Sequence, residues 1–227
     1  MKFGVVNFPG STGFSDTLYA LNHILEQDVV QLWYEDTSLP DIDVVVLPTG
    51  ASFGDAPEPG MKAAKSPIME PVKRFAENRG FVLGIGNGFQ ILCQAGMLSG
   101  KLITNESQTF VGKNVFTRPD NTATPLTRLL SKGQLLQLPI AHAFGRYQAD
   151  AENMREFHQN GQILLRYCSE DGKTTSASNP DGSIDNVAAI CNKHMNVFGI
   201  MACIERAVDP DLGNVNGLLL FQSLFRF

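Results

Sequence analysis

The chain has 227 residues, 43% of them hydrophobic and 18% charged, which suits one large globular unit with a substantial core. A formal net charge of −5 gives a phosphate backbone little to hold, and no apolar run approaches the ~20 residues of a membrane span, so neither a nucleic-acid nor a membrane partner is expected. No pair among Cys93, Cys168, Cys191 and Cys203 has C-x-x-C spacing, so no metal site is expected. "MKFGVVNFPG" lacks the pattern of a signal peptide, and the thiols read as reduced in a cytoplasmic protein.

In chain order, "KFGVVNF" (Lys2–Phe8) is a compact apolar strand. Ser15 is placed to cap a helix through "DTLYALNHIL", where Leu18, Leu21 and Leu25 keep helical spacing. "DVVQLW" (Asp28–Trp33) and "DVVVLP" (Asp43–Pro48) are further strands, the second β-branched as in a sheet covered on both faces. A helix is predicted from about Pro67 to Asn78, with Met69, Val72 and Phe75 on one face, followed by the strand "GFVLGI" (Gly80–Ile85) and the helix "GFQILCQAGML". This alternation implies a doubly wound, mostly parallel sheet, whose ligands sit at the carboxyl ends of the strands. The second half adds the strands "QTFVGKNVF", "GQLLQLPIAH", "QILLRYC", "NVAAICN" and "NVFGIM", the turn-rich "ASNPDGSIDN" and a final amphipathic helix in "NGLLLFQSLFRF". With no repeat, linker or low-complexity tract, residues 1–227 read as a single domain, and no P-loop for a nucleotide is present.

The stretch "FVLGIGNGFQILCQAG" (Phe81–Gly96) reads strand, sharp turn, helix. That is the shape of a turn that presents a nucleophile, yet Gly86 at its tip has no side chain. Glycine suits such a tip, because a nucleophile there commonly sits at positive φ under strain.

The motifs "KFGVVNFPGS", "DIDVVVLPTGASFGD", "SPIMEPVKRF", "VLGIGNGFQILCQAGML", "NESQTF", "LPIAH", "GRY", "NPDGSIDNVAAICN", "NVFGIM" and "ERA" together resemble, over nearly the full length, the amidotransferase-subunit family of phosphoribosylformylglycinamidine synthase, within the class I glutamine amidotransferases. The resemblance implies a flavodoxin-like α/β fold with extra β-strands in the second half. It also implies a cytoplasmic role in purine synthesis and docking on a large synthetase subunit, with or without a small third subunit. ATP and magnesium would belong to that partner, and no cofactor is implied for this chain. In the family a cysteine attacks the side-chain amide of glutamine, helped by a histidine, a carboxylate and backbone oxyanion donors.

This chain departs from that pattern at the reacting groups. Gly86 stands at the nucleophile position of G-x-C-x-G-x-Q, while Gly84, Gly88 and Gln90 match. Cys203 stands at the histidine position, and Glu205 alone is retained from the triad. The family's L-P-G-G-F-S-Y-G-D is "LPTGASFGD", with Thr49 and Ala51 substituted; "DAPEPG" puts Glu58 where an arginine is usual; "AHAFG" puts Ala143 and Phe144 where a glycine and a glutamate are usual. The substrate-binding positions carried over are Gly50, Ala51, Asn87, Gln90 and His142. So many changes around one pocket read as natural divergence rather than a single inactivating substitution.

The expectation is a subunit that does not hydrolyse glutamine, with a glutamine-like ligand disfavoured. The alternative is a diverged ligand-binding or Cys203-dependent protein whose pocket Phe144, Ile204 and Ala51 make less polar. In that alternative Cys203 lies at the pocket rim with a reactive thiol. His142 reads either as a pocket residue or as a satisfied structural histidine, and Glu205 as a surface or ion-paired carboxylate beside Arg206. Cys93, seven residues along the helix and about 10 Å deeper, reads as core. His23, His158 and His194 read as surface residues without a partner pattern.

Overall fold

The computed structural model describes residues 1–54 and 58–225. The strands are β1 (Lys2–Asn7), β2 (Asp28–Trp33), β3 (Val44–Leu47), β4 (Phe81–Ile85), β5 (Lys101–Ile103), β6 (Val111–Pro119), β7 (Leu136–His142), β8 (Arg146–Gln148), β9 (Ile163–Cys168), β10 (Val187–Cys191) and β11 (Val197–Ile200). The helices are α1 (Gly13–Tyr19), α2 (Met61–Ala64), α3 (Met69–Glu77), α4 (Asn87–Gln94), α5 (Ala151–Asn160) and α6 (Leu218–Ser223). Nine strands form one sheet in the order β2-β1-β3-β4-β11-β10-β9-β6-β7, and β5 pairs with β8 separately.

Neighbours from β2 through β11 pair in parallel. From β11 onward every ladder is antiparallel, through β10, β9, β6 and β7. Direction therefore alternates along this half, and β7, four ladders from β11, again runs the same way as β11. The carboxyl ends of β1, β3, β4, β11 and β7 consequently share one edge of the sheet.

The inner parallel strands β1, β3, β4 and β11 are buried on both faces, and their period-2 alternation divides them between two cores, whereas the edge strand β2 is exposed or half-buried along most of its length. Val44 and Val46 pack with Leu83, Ile85 and Phe221 of α6, while Val45 and Leu47 pack with Ile91 and Leu92 of α4, Val72 of α3 and Phe157 of α5. The closest approach lies where α4 leaves β4. A Cβ at Gly88 would stand 2.0 Å from the Leu47 carbonyl oxygen, so only glycine lets α4 lie against the end of β3.

Two expectations change. Ser15 does not cap a helix: α1 already begins at Gly13, whose backbone N–H donates to the Thr49 carbonyl at 3.1 Å, so a neighbouring loop starts the helix in place of a side-chain cap. The same rod then widens into one π-helical turn, Ala20–Ile24. The helix after the elbow stops at Gln94, because Gly96 takes φ +70° and ends the turn. The elements α2, α5, β5 and β8 were not foreseen. No helix among the described residues is long and apolar enough to cross a membrane.

Gly88→Ala is expected to lower stability by about 1–3 kcal/mol through overpacking against Leu47. Thermal unfolding measures this, and an unchanged midpoint would refute so tight an approach.

Candidate functional site

The shared edge of the sheet carries a cavity of about 390 Å³. The loop after β3 contributes Thr49, Gly50 and Ala51, and α4 contributes Asn87 and Gln90. The end of β7 contributes His142, Ala143 and Phe144, and the segment after β11 contributes Met201 and Arg206. Thr12 and Phe110 complete the polar and apolar sides, Phe110 being 66% exposed. The five carried-over substrate-binding positions therefore converge on one cavity, while Gly86 and Cys203 do not line it.

Gly86 forms the tip of the turn at φ 54°, ψ −108°, a conformation that glycine adopts without the Cβ strain other residues carry. Its N–H donates to Ile200 at 2.8 Å, and its carbonyl accepts from Phe89 and Gln90 at 3.0 and 3.3 Å, so the elbow is fully formed without a nucleophile.

Asn87 and Gln90 are engaged with the protein itself. Asn87 Oδ1 accepts from the Ser52 N–H at 3.1 Å, and its Nδ2 donates to Gln90 Oε1 at 2.7 Å. Gln90 Nε2 then donates to the Phe144 carbonyl at 2.7 Å. This relay ties the β3 loop, the start of α4 and the β7 loop into one wall.

His142 is 5% exposed. Its Nδ1 lies 3.1 Å from Asn105 Oδ1, and its Nε2 lies 3.7 Å from Asp181 Oδ2. Asn105 also donates to the His142 carbonyl at 2.9 Å and accepts from the Gly145 N–H at 2.9 Å, so it holds both ends of the β7 loop. Burial lowers the histidine to about 4 and raises the Asp181 carboxyl to about 6, the latter against donation from the Ser183 hydroxyl. Both shifts favour the neutral forms, so this contact is not a strong ion pair.

Cys203 does not lie at the rim. It is 2% exposed, with Sγ 3.8 Å from Thr49 Oγ1. Burial, reinforced by the Glu205 carboxylate, pushes its thiol up to about 12, the opposite of what a reactive cysteine needs. Ile204 is fully buried in the core with Phe221 and Leu220 and does not reshape the cavity. Thr12, Thr49, Asn87, Gln90 and Arg206 stand on the cavity wall beside Ala51, Phe110, Ala141, Ala143, Phe144 and Met201, so the lining mixes polar and apolar groups.

Glu205 is neither a surface carboxylate nor the partner of Arg206. It is 3% exposed, and neither side-chain oxygen has a hydrogen-bond partner among the described residues. Arg206 turns away, its Nε donating to Asp16 Oδ2 at 2.8 Å. Burial raises the Glu205 carboxyl to about 8.

Cys93 is half-buried among apolar neighbours, which raise its thiol. His23 and His194 are exposed; His158 is exposed too, but has a partner in Asp185, 3.1 Å away. Glu58 is exposed, and Asp55–Pro57 of the same segment lie outside the described residues. Among the described residues no cluster of His, Cys, Asp and Glu is arranged to hold a metal ion. Asn105 and Asp181 were not foreseen as site residues. Their only signal was membership in "NESQTF" and "NPDGSIDN", motifs to which the residues themselves assign no role.

The unfolded Glu205 ionises near 4.5, the folded one near 8. Between those values the folded state holds a proton that the unfolded state has lost, so stability falls as pH rises, by at most about 1.4 kcal/mol per unit. Glu205→Gln should abolish that decline, so the natural chain's unfolding midpoint should fall relative to the variant's as the pH is raised from 4.5 to 8. Parallel curves would show that Glu205 is ionised in the fold. At pH 7.5 iodoacetamide is expected to leave Cys203 unmodified in the folded protein, and peptide mapping of a modified Cys203 would contradict its burial.

A family model described as a CobB/CobQ-like glutamine amidotransferase domain matches residues 1–216. The phosphoribosylformylglycinamidine synthase subunit PurQ of Aquifex aeolicus is 46% identical over 224 residues, covering 99% of both chains. That of Salinibacter ruber is 45% identical over 223 residues, covering 98% of this chain and 95% of the relative. A chain in the structure of PurLQS from Thermotoga maritima superposes with a TM-score of 0.86 at 34% identity, covering 98% of this chain and 96% of that one. The glutaminase domain of Trypanosoma brucei CTPS with bound acivicin shares the fold at 12% identity, with a TM-score of 0.60. A family match over residues 1–216 and full-length identity at this level show that the chain belongs to the CobB/CobQ-like glutamine amidotransferase family and to its PurQ branch.

Proposed function

We propose that this chain serves as the PurQ-type subunit of a phosphoribosylformylglycinamidine synthase without hydrolysing glutamine itself. One observation carries the reading: the elbow is intact, yet its tip, Gly86, offers no nucleophile, and Cys203, which lies on the other side of Thr49 from it, is buried with its thiol pushed up to about 12. Glutamine hydrolysis of this kind forms a thioester between the substrate's acyl carbon and a cysteine sulfur and releases ammonia; a protonated, enclosed thiol cannot begin it. His142 is no substitute base, since its Nδ1 is committed to Asn105 and burial lowers its basicity.

The partner is a large synthetase subunit, as the PurLQS relative suggests, with or without a small third chain. The synthetase would supply the ATP and magnesium chemistry and draw on free ammonia. In that assembly this chain contributes a docking surface and a closed wall, which the Ser52–Asn87–Gln90–Phe144 relay keeps rigid.

The test is to co-purify the chain with its cognate synthetase and measure glutamate release and product formation with glutamine or ammonium chloride as nitrogen donor. A stable complex, product with ammonium and no glutamate above background are expected. Glutamate release would overturn the inactivity, and failure to associate would overturn the docking role.

A further inference from the structure

We infer that Thr49 occupies the space a nucleophile needs, so that residues 49 and 86 exclude one another's side chains. An ideal Cβ built on Gly86 would lie 2.2 Å from Thr49 Oγ1 and 3.1 Å from Thr49 Cβ. The first distance is far inside van der Waals contact. The second is also tighter than ordinary packing and does not depend on the Thr49 rotamer. Turning the hydroxyl away is restricted further, because the branched side chain has two heavy atoms to place. Its Cγ2 already fills the niche over Gly13, where a Cβ would stand 2.3 Å from it. The hydroxyl points the other way, toward Cys203 Sγ at 3.8 Å.

Thr49, Gly86 and Cys203 are therefore one packed unit: the hydroxyl fills the room left by the missing side chain at the elbow and supplies the polar contact of the buried thiol. Gly86 is required by Thr49 as well as by its own positive φ. A change at 86 alone, or at 86 and 203 together, meets the Thr49 side chain. The packing claim stands on distances alone. Its consequence for glutamine chemistry rests on the proposed function.

A double-mutant cycle separates the Thr49 contact from the strain of the elbow, which is common to both arms. Gly86→Ala and Gly86→Cys are made in the natural chain and in Thr49→Gly, and unfolding midpoints are measured by calorimetry. Each change at 86 is expected to lower the midpoint by about 5 °C more with Thr49 present than with glycine there. Failure to fold only with Thr49 present supports the inference equally. Equal losses in both backgrounds, or failure to fold in both, overturn it, because backbone strain then accounts for everything.

The thiol of Gly86→Cys should also react with iodoacetamide at least tenfold faster in Thr49→Gly, and equal rates would count against the inference. Glutamate release is then assayed in Gly86→Cys/Cys203→His with and without Thr49→Gly. Activity only in the triple variant extends the inference to catalysis. Equal activity without Thr49→Gly overturns it. If every variant is silent although the stability coupling is present, the packing inference stands, and what fails is the reading that the missing nucleophile alone accounts for the inactivity.

Discussion

The architecture of the site depends on a single close approach, that of the first turn of α4 to the end of β3. Leu47 presents its carbonyl oxygen where a side chain at Gly88 would be, so helix and sheet meet backbone to backbone. This contact fixes the direction in which the chain leaves β4 and forces Gly86 into its positive-φ turn. It also brings the Thr49 loop within reach of the elbow tip. From that point the hydrogen-bond relay through Asn87 and Gln90 extends the same rigid body to the β7 loop. The geometry associated with nucleophilic catalysis is thus a packing solution that holds whether or not a nucleophile is present.

The retained and the altered residues divide along this line. Gly84, Gly88, Asn87 and Gln90 serve the backbone approach and the relay, and of these Gly84, Gly88 and Gln90 match the family pattern. The departures include Thr49, whose side chain lies against both Gly86 and Cys203, and Ala51, Ala143 and Phe144, whose side chains line the cavity while the Phe144 carbonyl still closes the relay. Glu205 is the exception. It matches the pattern but has no imidazole to orient, and stays buried with both oxygens unpartnered. Burial holds such an acid neutral, and the acid's own backbone N–H and the nearby Arg206 charge oppose that effect without reversing it.

Much of the fold was legible because the parallel strands are β-branched, continuous and bounded by Gly and Pro, as in Val44–Leu47 and Phe81–Ile85. The elbow was legible because glycine spacing is a backbone requirement that sequence records directly. Helix α5 was not, since only Met154 and Phe157 of its ten residues are buried and all the others but Ala151 are polar. The start of α1 was misplaced because its first N–H is satisfied by Thr49, far away in sequence. The environments of Cys203 and Glu205 were illegible for a related reason. Residue type suggests a reactive thiol and a solvated carboxylate, but burial by distant segments decides both, and burial is not a local property.

Strand direction carries one more consequence. His142 and Phe144 reach the cavity only because the ladders between β11 and β7 are even in number, so that β7 ends at the same edge as the parallel strands. Loss or gain of a single strand in this half would reverse β7 and carry its terminal loop to the opposite side of the molecule. Changes of length here are therefore compatible with the site only as whole hairpins. Relatives whose second halves differ in size should differ by an even number of strands, whatever has become of their chemistry.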